Sequence, residues 1–324
     1  MWPPPRGIVA QVWLLRILLV SSARLEFSVV VPTFGRTERL TECLAALARL
    51  DWPTADFEVI VVDDGGREPL DPVTERFRHK LQLRLVTEAH RGPAAARNAG
   101  AVVARGRWVA FTDDDCAPAP DWLRQFHVAC SQWPDRLLGG HTVNALQDQL
   151  CPAASQLLVD YLHDSLNGNL ARARFFASCN LAAPAARFRE MGGFSTSFPT
   201  AGGEDRDLCA RWLDRGLSLA YVPDALVHHR HRLSLAGFWR QHANYGRGAF
   251  LFHQARRRAA PSSSRLQPFL FYSRLVAYPI SRDAPGAMRL SALLVLSQLA
   301  TAVGYSRSML TAMLGRGLSG GGIR

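Results

Sequence analysis

The sequence predicts an α/β fold in which helices cover both faces of a mostly parallel β-sheet. Hydrophobic residues make up 48% of its 324 residues, which is enough apolar surface to bury a substantial core. Short β-branched runs alternate with segments whose apolar residues recur at helical spacing. Clusters of aspartate and glycine follow two of the predicted strands. Alternation of this kind is typical of a parallel sheet flanked by helices.

The first strand, helix and second strand are predicted over residues 27–62. Residues 27–32 (FSVVVP) are a β-branched run that stops at a proline, and residues 36–50 carry apolar side chains on one helical face. Residues 57–62 (FEVIVV) are too short and too β-branched for a helix. They end at Asp63-Asp64-Gly65-Gly66, which is a turn cluster.

The next elements repeat this alternation. Residues 81–87 are predicted as a strand, residues 93–104 as an alanine-rich helix with proline at its start, and residues 107–111 as a strand that runs into Asp113-Asp114-Asp115. Ligands of open α/β sheets bind at the carboxyl ends of the strands. Both acidic turns are therefore expected at a ligand site.

The alternation weakens beyond Cys116. The pattern predicts an amphipathic helix over 121–133, a strand over 137–143, a less regular stretch up to residue 174 and a helix over 204–213 that begins at Glu204-Asp205. We expect this half of the chain to receive a second substrate.

Both ends of the chain differ from the middle. Residues 8–20 form an apolar stretch of about 13 residues, shorter than the roughly 20 that a spanning helix needs, so we expect a loosely attached N-terminal helix or upstream sequence. From residue 251 onward there are ten arginines and one acid, Asp283. The apolar run 290–305 in this tail is marginal in length for a spanning helix, so a helix held on an anionic membrane surface and a spanning helix both stay open.

Charge and cysteine usage predict the compartment. The net charge of +11 is concentrated in the apolar tail, which favours anionic lipid and argues against nucleic acid as the partner. The six cysteines are scattered without a CxxC pair, so they are expected to be reduced thiols. The predicted location is the cytoplasm, at the inner face of the cell membrane.

Three adjacent carboxylates, Asp113, Asp114 and Asp115, repel one another unless a cation or hydrogen-bond donors neutralise them. A hard divalent ion such as Mg²⁺ or Mn²⁺ takes few protein carboxylates and completes its shell with phosphate oxygens and water, which suits a nucleoside diphosphate. The alternative is a solvated acidic turn. A simple Asx-turn is likewise open for Asp63 and Asp64, as is a plain surface position for Arg97.

Five motifs in register resemble glycosyltransferase family 2. They are VVVPTFGR, VIVVDDGG, GPAAARNAG, WVAFTDDD and GGEDRDL. The resemblance implies a GT-A fold, which is a Rossmann-like sheet flanked by helices, over residues 27–250. Its nucleotide-binding half would be 27–116 and its acceptor half 117–250, with an apolar extension at 1–26 and a basic, apolar helical tail at 251–324.

The resemblance also implies roles for particular residues. Nucleotide-sugar binding is implied for Pro32, Thr33, Arg36, Asp63, Asp64, Arg97, Asp113 and Asp114. Asp115 would hold the metal, with His229 as the best-aligned histidine of the segment VHHRHR beside it. The implied activity is inverting transfer of one sugar from a nucleotide-linked donor, which we expect to be UDP- or GDP-linked. Because the tail predicts membrane proximity, we expect a glycan or lipid-linked acceptor in the cell envelope.

Glu204 and Asp205 match the family's ED motif, whose aspartate is implied to be the general base. An alcohol is a poor nucleophile, and in-line attack at an anomeric carbon needs a carboxylate on the face opposite the leaving diphosphate. That geometry inverts configuration. The alternative is that both acids only complement a helix dipole.

Rival functions can be compared with the same motifs. A dinucleotide-binding enzyme would show GxGxxG after the first strand, and a P-loop enzyme would show GxxxxGK[ST]; the sequence has neither. A non-catalytic sugar-binding relative is the alternative from another class, although binding alone would not need a base at Asp205. A processive polysaccharide synthase would carry QxxRW, whereas Gln241 is followed by HANYGRG.

Overall fold

The computed structural model describes residues 25–169, 173–259 and 267–319. The predicted N-terminal helix at 8–20 lies outside the described residues. The strands are β1 (Phe27–Thr33), β2 (Phe57–Asp63), β3 (Leu83–Thr87), β4 (Trp108–Phe111), β5 (Cys116–Pro118), β6 (Leu137–Asn144), β7 (Leu181–Pro184) and β8 (Leu219–His229).

Ten α-helices lie in the described part of the chain. They are α1 (Thr37–Leu47), α2 (Asp71–Glu75), α3 (Pro93–Val103), α4 (Trp122–Gln132), α5 (Leu150–Leu166), α6 (Ala185–Glu190), α7 (Glu204–Asp214), α8 (Leu235–Ala259), α9 (Phe269–Ser281) and α10 (Ala287–Ser319). The α/β class with flanking helices is confirmed.

The eight strands form one mixed sheet in the order β3-β2-β1-β4-β7-β6-β8-β5. The β3, β2, β1 and β4 strands are parallel, as the alternation predicts. In the second half β7 is antiparallel to both β4 and β6, whereas β6 and β8 are parallel. The register sets Thr33 beside Asp63, so the ends of β1 and β2 meet at one edge.

Both faces of the sheet are covered, so the central strands are buried on both sides. Val29 and Val31 of β1 pack toward α1 and α4, while Val30 faces α3. This follows from the two-residue repeat of a strand, which sends successive side chains to opposite faces. The six cysteines are free thiols and all but Cys151 are buried.

Strand β8 was not predicted, because Pro223 and Asp224 in its middle are typical of a turn. The structure accommodates them at a register shift. Gly140 pairs with Val222, and the next β6 residue, His141, pairs with Leu226. Three residues of β8 are thus left over opposite β6, and the strand continues to His229.

Helix α5 replaces the less regular stretch that the sequence predicts before residue 174. Its apolar side chains pack on the C-terminal helices, where Tyr161 contacts Leu275 and Tyr278 and donates a hydrogen bond to Phe271 O at 2.7 Å. Pro152 lies in its first turn, where proline is tolerated. Helix α5 is therefore stabilised by contacts with residues that lie more than a hundred positions later in the sequence.

The predicted C-terminal helical tail forms α9 and α10. Helix α8 runs through residue 250, where the sequence predicts the domain boundary, and α10 packs along it. The two backbones approach closely: a Cβ placed on Gly246 would lie 1.9 Å from Thr301 O, and one on Gly304 would lie 1.9 Å from Ala243 O. In α10 the segment Ala287–Leu314 is long and apolar enough to cross a membrane, and an 18-residue window within it has a mean hydropathy of 1.4.

Candidate functional site

The two acidic turns predicted from the sequence lie at the same edge of the sheet. Asp113, Asp114 and Asp115 follow β4 directly, and the chain then forms the short strand β5, in which Cys116 pairs with His229 at the end of β8. The ends of β1, β4 and β8 therefore converge on the acidic cluster. Asp114 is completely buried and Asp115 nearly so, which rules out a solvated acidic turn for them.

Asp114 is held by the end of β1 and the loop that follows it. Thr33 Oγ1 donates to Asp114 Oδ2 at 2.6 Å, and Arg36 Nε lies 3.1 Å from the same oxygen. The other oxygen, Oδ1, is buried and has no hydrogen-bond partner among the described residues. Burial raises the pKa of Asp114 to about 7, although the charge of Arg36 opposes this. An unsatisfied buried acceptor of this kind suits a ligand hydroxyl.

Asp115 lies between basic groups from three elements. His229 Nε2 is 3.3 Å from Asp115 Oδ1, while Arg39 and Arg36 approach Oδ2 at 3.0 and 3.4 Å. Burial alone would raise the pKa of Asp115, but the hydrogen bond and charge of His229 hold it well below its usual range. Conversely, burial would lower the pKa of His229, and Asp115 raises it to about 9.

The donor atoms around Asp115 fit a metal ion. One ligand atom each from Asp115, Cys116 and His229 lie within 4.8 Å of one another. A carboxylate and an imidazole suit a hard divalent ion that keeps water and phosphate in its other positions. Burial raises the pKa of the Cys116 thiol, so this sulfur stays protonated and is a poor ligand for such an ion. Asp115 and His229, the two predicted ligands, are thus adjacent.

We expect Asp115→Asn and His229→Ala each to lower Mn²⁺ affinity by at least about tenfold, since even outer-shell partners of metal ligands cost that much. Calorimetric titration of Mn²⁺ in the presence of a nucleoside diphosphate measures this. Cys116→Ser is the matched control and should keep the affinity of the unchanged protein. An equal loss in Cys116→Ser would contradict a hard-ion site formed by Asp115 and His229.

Arg97 connects the two acidic motifs. Its Nη2 lies 2.7 Å from Asp113 Oδ1 and its Nη1 lies 3.2 Å from Glu204 Oε1. The side chain is only 3% exposed, so the surface alternative for Arg97 is wrong. Both carboxylates raise its pKa, against the effect of burial. The guanidinium fixes the loop after β4 against the start of α7.

Glu204 and Asp205 begin α7 but have different surroundings. The preceding Gly203 has φ +102°, a conformation that side chains rarely adopt. Glu204 is buried, and besides Arg97 it accepts the Gly202 N–H at 2.7 Å. Asp205 Oδ1 accepts the Arg206 N–H at 2.7 Å, and among the described residues its second oxygen has no hydrogen bond.

The geometry therefore assigns different tasks to two residues that the sequence treats as one motif. Glu204 is fully engaged and positions Arg97 and the glycine loop. Asp205 keeps an available oxygen, and burial together with the charge of Glu204 raises its pKa to about 7. A carboxylate with this pKa is poised to accept a proton near neutral pH.

Asp63 and Asp64 are largely occupied by the backbone around them. Asp63 Oδ1 accepts the Gly66 N–H at 2.8 Å, which is a local bond three residues on, one residue further than in a simple Asx-turn. Asp64 accepts the N–H groups of Arg91 and Gly92, both at 2.9 Å, and so holds the loop before α3. Among the described residues, Asp63 Oδ2 accepts no hydrogen bond and is available for a base, while Pro32 is buried near it at the end of β1.

Three residues near the site were missed in the sequence. Cys116 directly follows Asp115, and Arg39 lies one helical turn after Arg36, so spacing could have indicated both. Phe34 stacks on His90 with ring centroids 4.1 Å apart and is 46% exposed beside Asp64. The sequence signal for Phe34 was its position as an aromatic residue directly after Pro32-Thr33 in the first motif.

Family models match most of the described chain. The model for glycosyl transferase family 2 matches residues 28–132, and the model for glycosyl transferase family group 2 matches residues 108–318. Together they include every predicted site residue.

Curated relatives are similar over part of their length. The pre-mycofactocin glycosyltransferase of Mycobacterium tuberculosis is 29% identical over 233 residues, which cover 69% of this chain and 47% of that protein. The glycosyltransferase AglE of Haloferax volcanii is 24% identical over 205 residues, or 62% of this chain and 66% of that protein. The chain thus spans about half the length of the first relative.

Solved structures share the fold. The mannosyltransferase PcManGT of Pyrobaculum calidifontis, in complex with GDP-Man and Mn²⁺, has a TM-score of 0.58 at 20% identity, covering 91% of this chain and 81% of its own. Residues 1–349 of S. aureus TarS, in complex with UDP-GlcNAc, have a TM-score of 0.54 at 17% identity, covering 90% of this chain and 92% of its own.

Proposed function

The chain belongs to glycosyltransferase family 2, and from this premise we propose that it is an inverting enzyme that moves one sugar from a UDP- or GDP-linked donor to an acceptor hydroxyl. The observation that carries the proposal is the Asp113–Arg97–Glu204 bridge. It sets the acidic loop after β4 next to the loop that bears Asp205. We therefore assign donor binding to the acidic loop after β4 and proton abstraction to Asp205, with the bridge fixing the two segments to each other.

On the donor side, residues at the ends of β1, β2 and β4 would hold the nucleotide. The unsatisfied Oδ1 of Asp114 is assigned to a ribose hydroxyl and the remaining oxygen of Asp63 to a base N–H. Asp115 and His229 would hold Mg²⁺ or Mn²⁺, which supplies charge neutralisation for the diphosphate when bound. Arg36 and Arg39, both at Asp115, can turn toward the same phosphates.

On the acceptor side, Asp205 acts as the general base. Its free carboxylate oxygen takes the proton of the acceptor hydroxyl as that oxygen forms a bond to the anomeric carbon. The bond from this carbon to the diphosphate breaks, and the electron pair leaves with the nucleoside diphosphate. Attack opposite the leaving group gives inverted configuration.

Two structural neighbours support a nucleotide-sugar donor, since their complexes contain GDP-Man with Mn²⁺ and UDP-GlcNAc. We assign residues 27–116 to the donor half and 117–250 to the acceptor half. We also place the protein at the cytoplasmic face of the cell membrane, with a glycan or lipid-linked acceptor of the cell envelope. The apolar helix α10 and its arginines support that placement.

A donor panel tests the proposal. Purified full-length protein is incubated with UDP-, GDP- and dTDP-sugars and Mn²⁺, with and without a membrane extract as the acceptor source, and nucleoside diphosphate release is measured. We expect release from one donor class that EDTA abolishes. If no donor is bound or turned over with extract present, the proposed activity is wrong and a non-catalytic sugar-binding protein is the better description.

The pH dependence of turnover should follow Asp205. Its pKa is raised to about 7, and only the ionised form accepts a proton, so kcat is retained above this pH and lost as pH falls through it. Rates at saturating donor and acceptor between about pH 5.5 and 9 measure this. Donor affinity is measured in parallel, so that protonation of Asp114 is recorded as a change in Kd. A kcat that is flat across neutrality would contradict Asp205 as the base.

A further inference from the structure

Helix α10 has two apolar faces, and the described residues of the protein cover only one of them. The buried face contains small and aliphatic residues, among them Leu290, Leu294, Ser297, Ala300 and Gly304. The opposite face is exposed between Met288 and Leu314 and is formed by Met288, Val295, Leu299, Val303, Leu310, Met313 and Leu314. We call these seven residues the outer stripe. A helix that is apolar all round is normally covered on every side.

The outer stripe is long and continuous. From Met288 to Met313 its members lie three, four or seven positions apart, and Leu314 lies four after Leu310, which places them on one side of the helix with the exposed Ser306 between Val303 and Leu310. From Met288 to Leu314 the stripe extends about 39 Å at 1.5 Å per residue. Exposed apolar surface of this extent marks an interaction site.

Charge identifies the partner. Arg289 and Arg307 are eighteen positions apart, a whole number of helical turns, so both lie along one border of the outer stripe, and both are exposed. Residues 287–314 contain no acid. Two copies joined through the outer stripe would therefore supply no opposite charge for these arginines, whereas anionic lipid attracts them. A second copy of this chain is therefore the poorer fit.

The contacts that the buried face of α10 makes with α8 limit how the helix can be placed in a bilayer. Thr301 Oγ1 donates to His242 O at 3.2 Å, the Tyr305 and Phe250 rings lie 5.5 Å apart, and Gly246 and Gly304 allow backbone contact with α8. A spanning α10 would either lose these contacts or take the arginines of α8 into hydrocarbon, which is costly.

We propose that the protein binds an anionic bilayer through the outer stripe, with α10 lying in the membrane plane rather than crossing it. The apolar side chains enter the boundary between headgroups and acyl chains, while Arg289 and Arg307 contact lipid phosphates along one border. This inference deepens the membrane placement under the proposed function. It assigns that contact to one face of one helix.

The same geometry connects the membrane face to the catalytic loop. Helix α8 contacts α10 through Gly246, and two residues further, on the other side of α8, a Cβ on Gly248 would lie 1.9 Å from Gly202 O. The loop that bears Asp205 therefore lies a single helix away from α10. This position favours an acceptor whose hydroxyl is presented at the membrane surface, such as a lipid-linked sugar, and this last step rests on the proposed function.

Vesicle sedimentation of the full-length protein tests the docking surface. We expect binding to phosphatidylcholine vesicles that contain phosphatidylserine, and a loss of at least about tenfold for Leu299→Glu/Val303→Glu, which puts two charges on the outer stripe. Val128→Glu is the control, since Val128 on α4 is 61% exposed, more than Leu299 or Val303, and this variant should bind unchanged. Arg289→Glu/Arg307→Glu should lower binding by at least about fivefold per arginine on anionic vesicles only.

Several outcomes would overturn the inference. Unchanged vesicle binding of Leu299→Glu/Val303→Glu would remove the outer stripe as the contact. A lipid-free dimer, seen by light scattering and abolished by the same pair, would make a second copy the occupant. Retention of bound protein through an alkaline carbonate wash would show that α10 spans. Nucleoside diphosphate release, measured without vesicles, separates these results from failure of the proposed activity.

Discussion

Replacing Asp205 with asparagine is expected to lower kcat by about a hundredfold to ten-thousandfold, which is the usual contribution of a general base. Asparagine has nearly the same shape and can still accept the Arg206 N–H that Asp205 accepts at 2.7 Å. It cannot take a proton from the acceptor hydroxyl. The loss should appear in kcat, with the Kd of the donor close to that of the unchanged protein.

Asp207→Asn is the matched control for that variant. Asp207 lies on the same first turn of α7 but is paired with Arg211 Nε at 2.7 Å, away from the free oxygen of Asp205. We expect its kcat to stay within a few fold of the unchanged protein. An Asp205→Asn variant that keeps more than about a tenth of the original kcat would reject Asp205 as the base.

Arg97→Met is expected to lower the free energy of unfolding by about 3–5 kcal/mol, because it leaves Asp113 and the buried Glu204 without their shared cation. Methionine fills a similar volume, so the effect is electrostatic rather than a cavity. Urea unfolding followed by circular dichroism measures the loss. Donor turnover should also fall, since the two loops are no longer fixed to each other.

Two further variants separate this effect from a general loss of an arginine. Arg124→Met removes an exposed ion pair with Asp51 and should cost no more than about 1 kcal/mol. Arg97→Met/Glu204→Gln should recover part of the stability lost in Arg97→Met, because one uncompensated buried charge is gone. A single Arg97→Met cost below about 1 kcal/mol would show that the bridge contributes little.

Elements that depend on local sequence were predictable. The strands β1 and β2, the helix α3 and the acidic turn after β4 all follow from short runs of β-branched or alanine residues with turn residues at their ends. The convergence of Asp113, Asp114 and Asp115 with Thr33 follows as well, since the carboxyl ends of neighbouring parallel strands share an edge.

The remainder depends on contacts between distant parts of the chain. Arg97 meets Glu204 across 107 positions, so its burial could not be deduced from its own helix. Helix α5 forms against α9 and α10, and β8 passes Pro223 only because β6 allows a register shift. The separate tasks of Glu204 and Asp205 likewise arise from Gly202 and Arg97 rather than from the motif.

The two edge strands of the sheet, β5 and β3, are poorly suited to pair with a strand from another copy of the protein. An uncovered strand edge presents unpaired N–H and C=O groups on which another chain can add a strand. At one end β5 is three residues long and finishes at Pro118, which has no N–H to offer. At the other end β3 is five residues long and carries Arg84, a residue type that discourages edge pairing. Copies gathered at high local density on a surface are therefore expected to remain separate rather than join sheet to sheet.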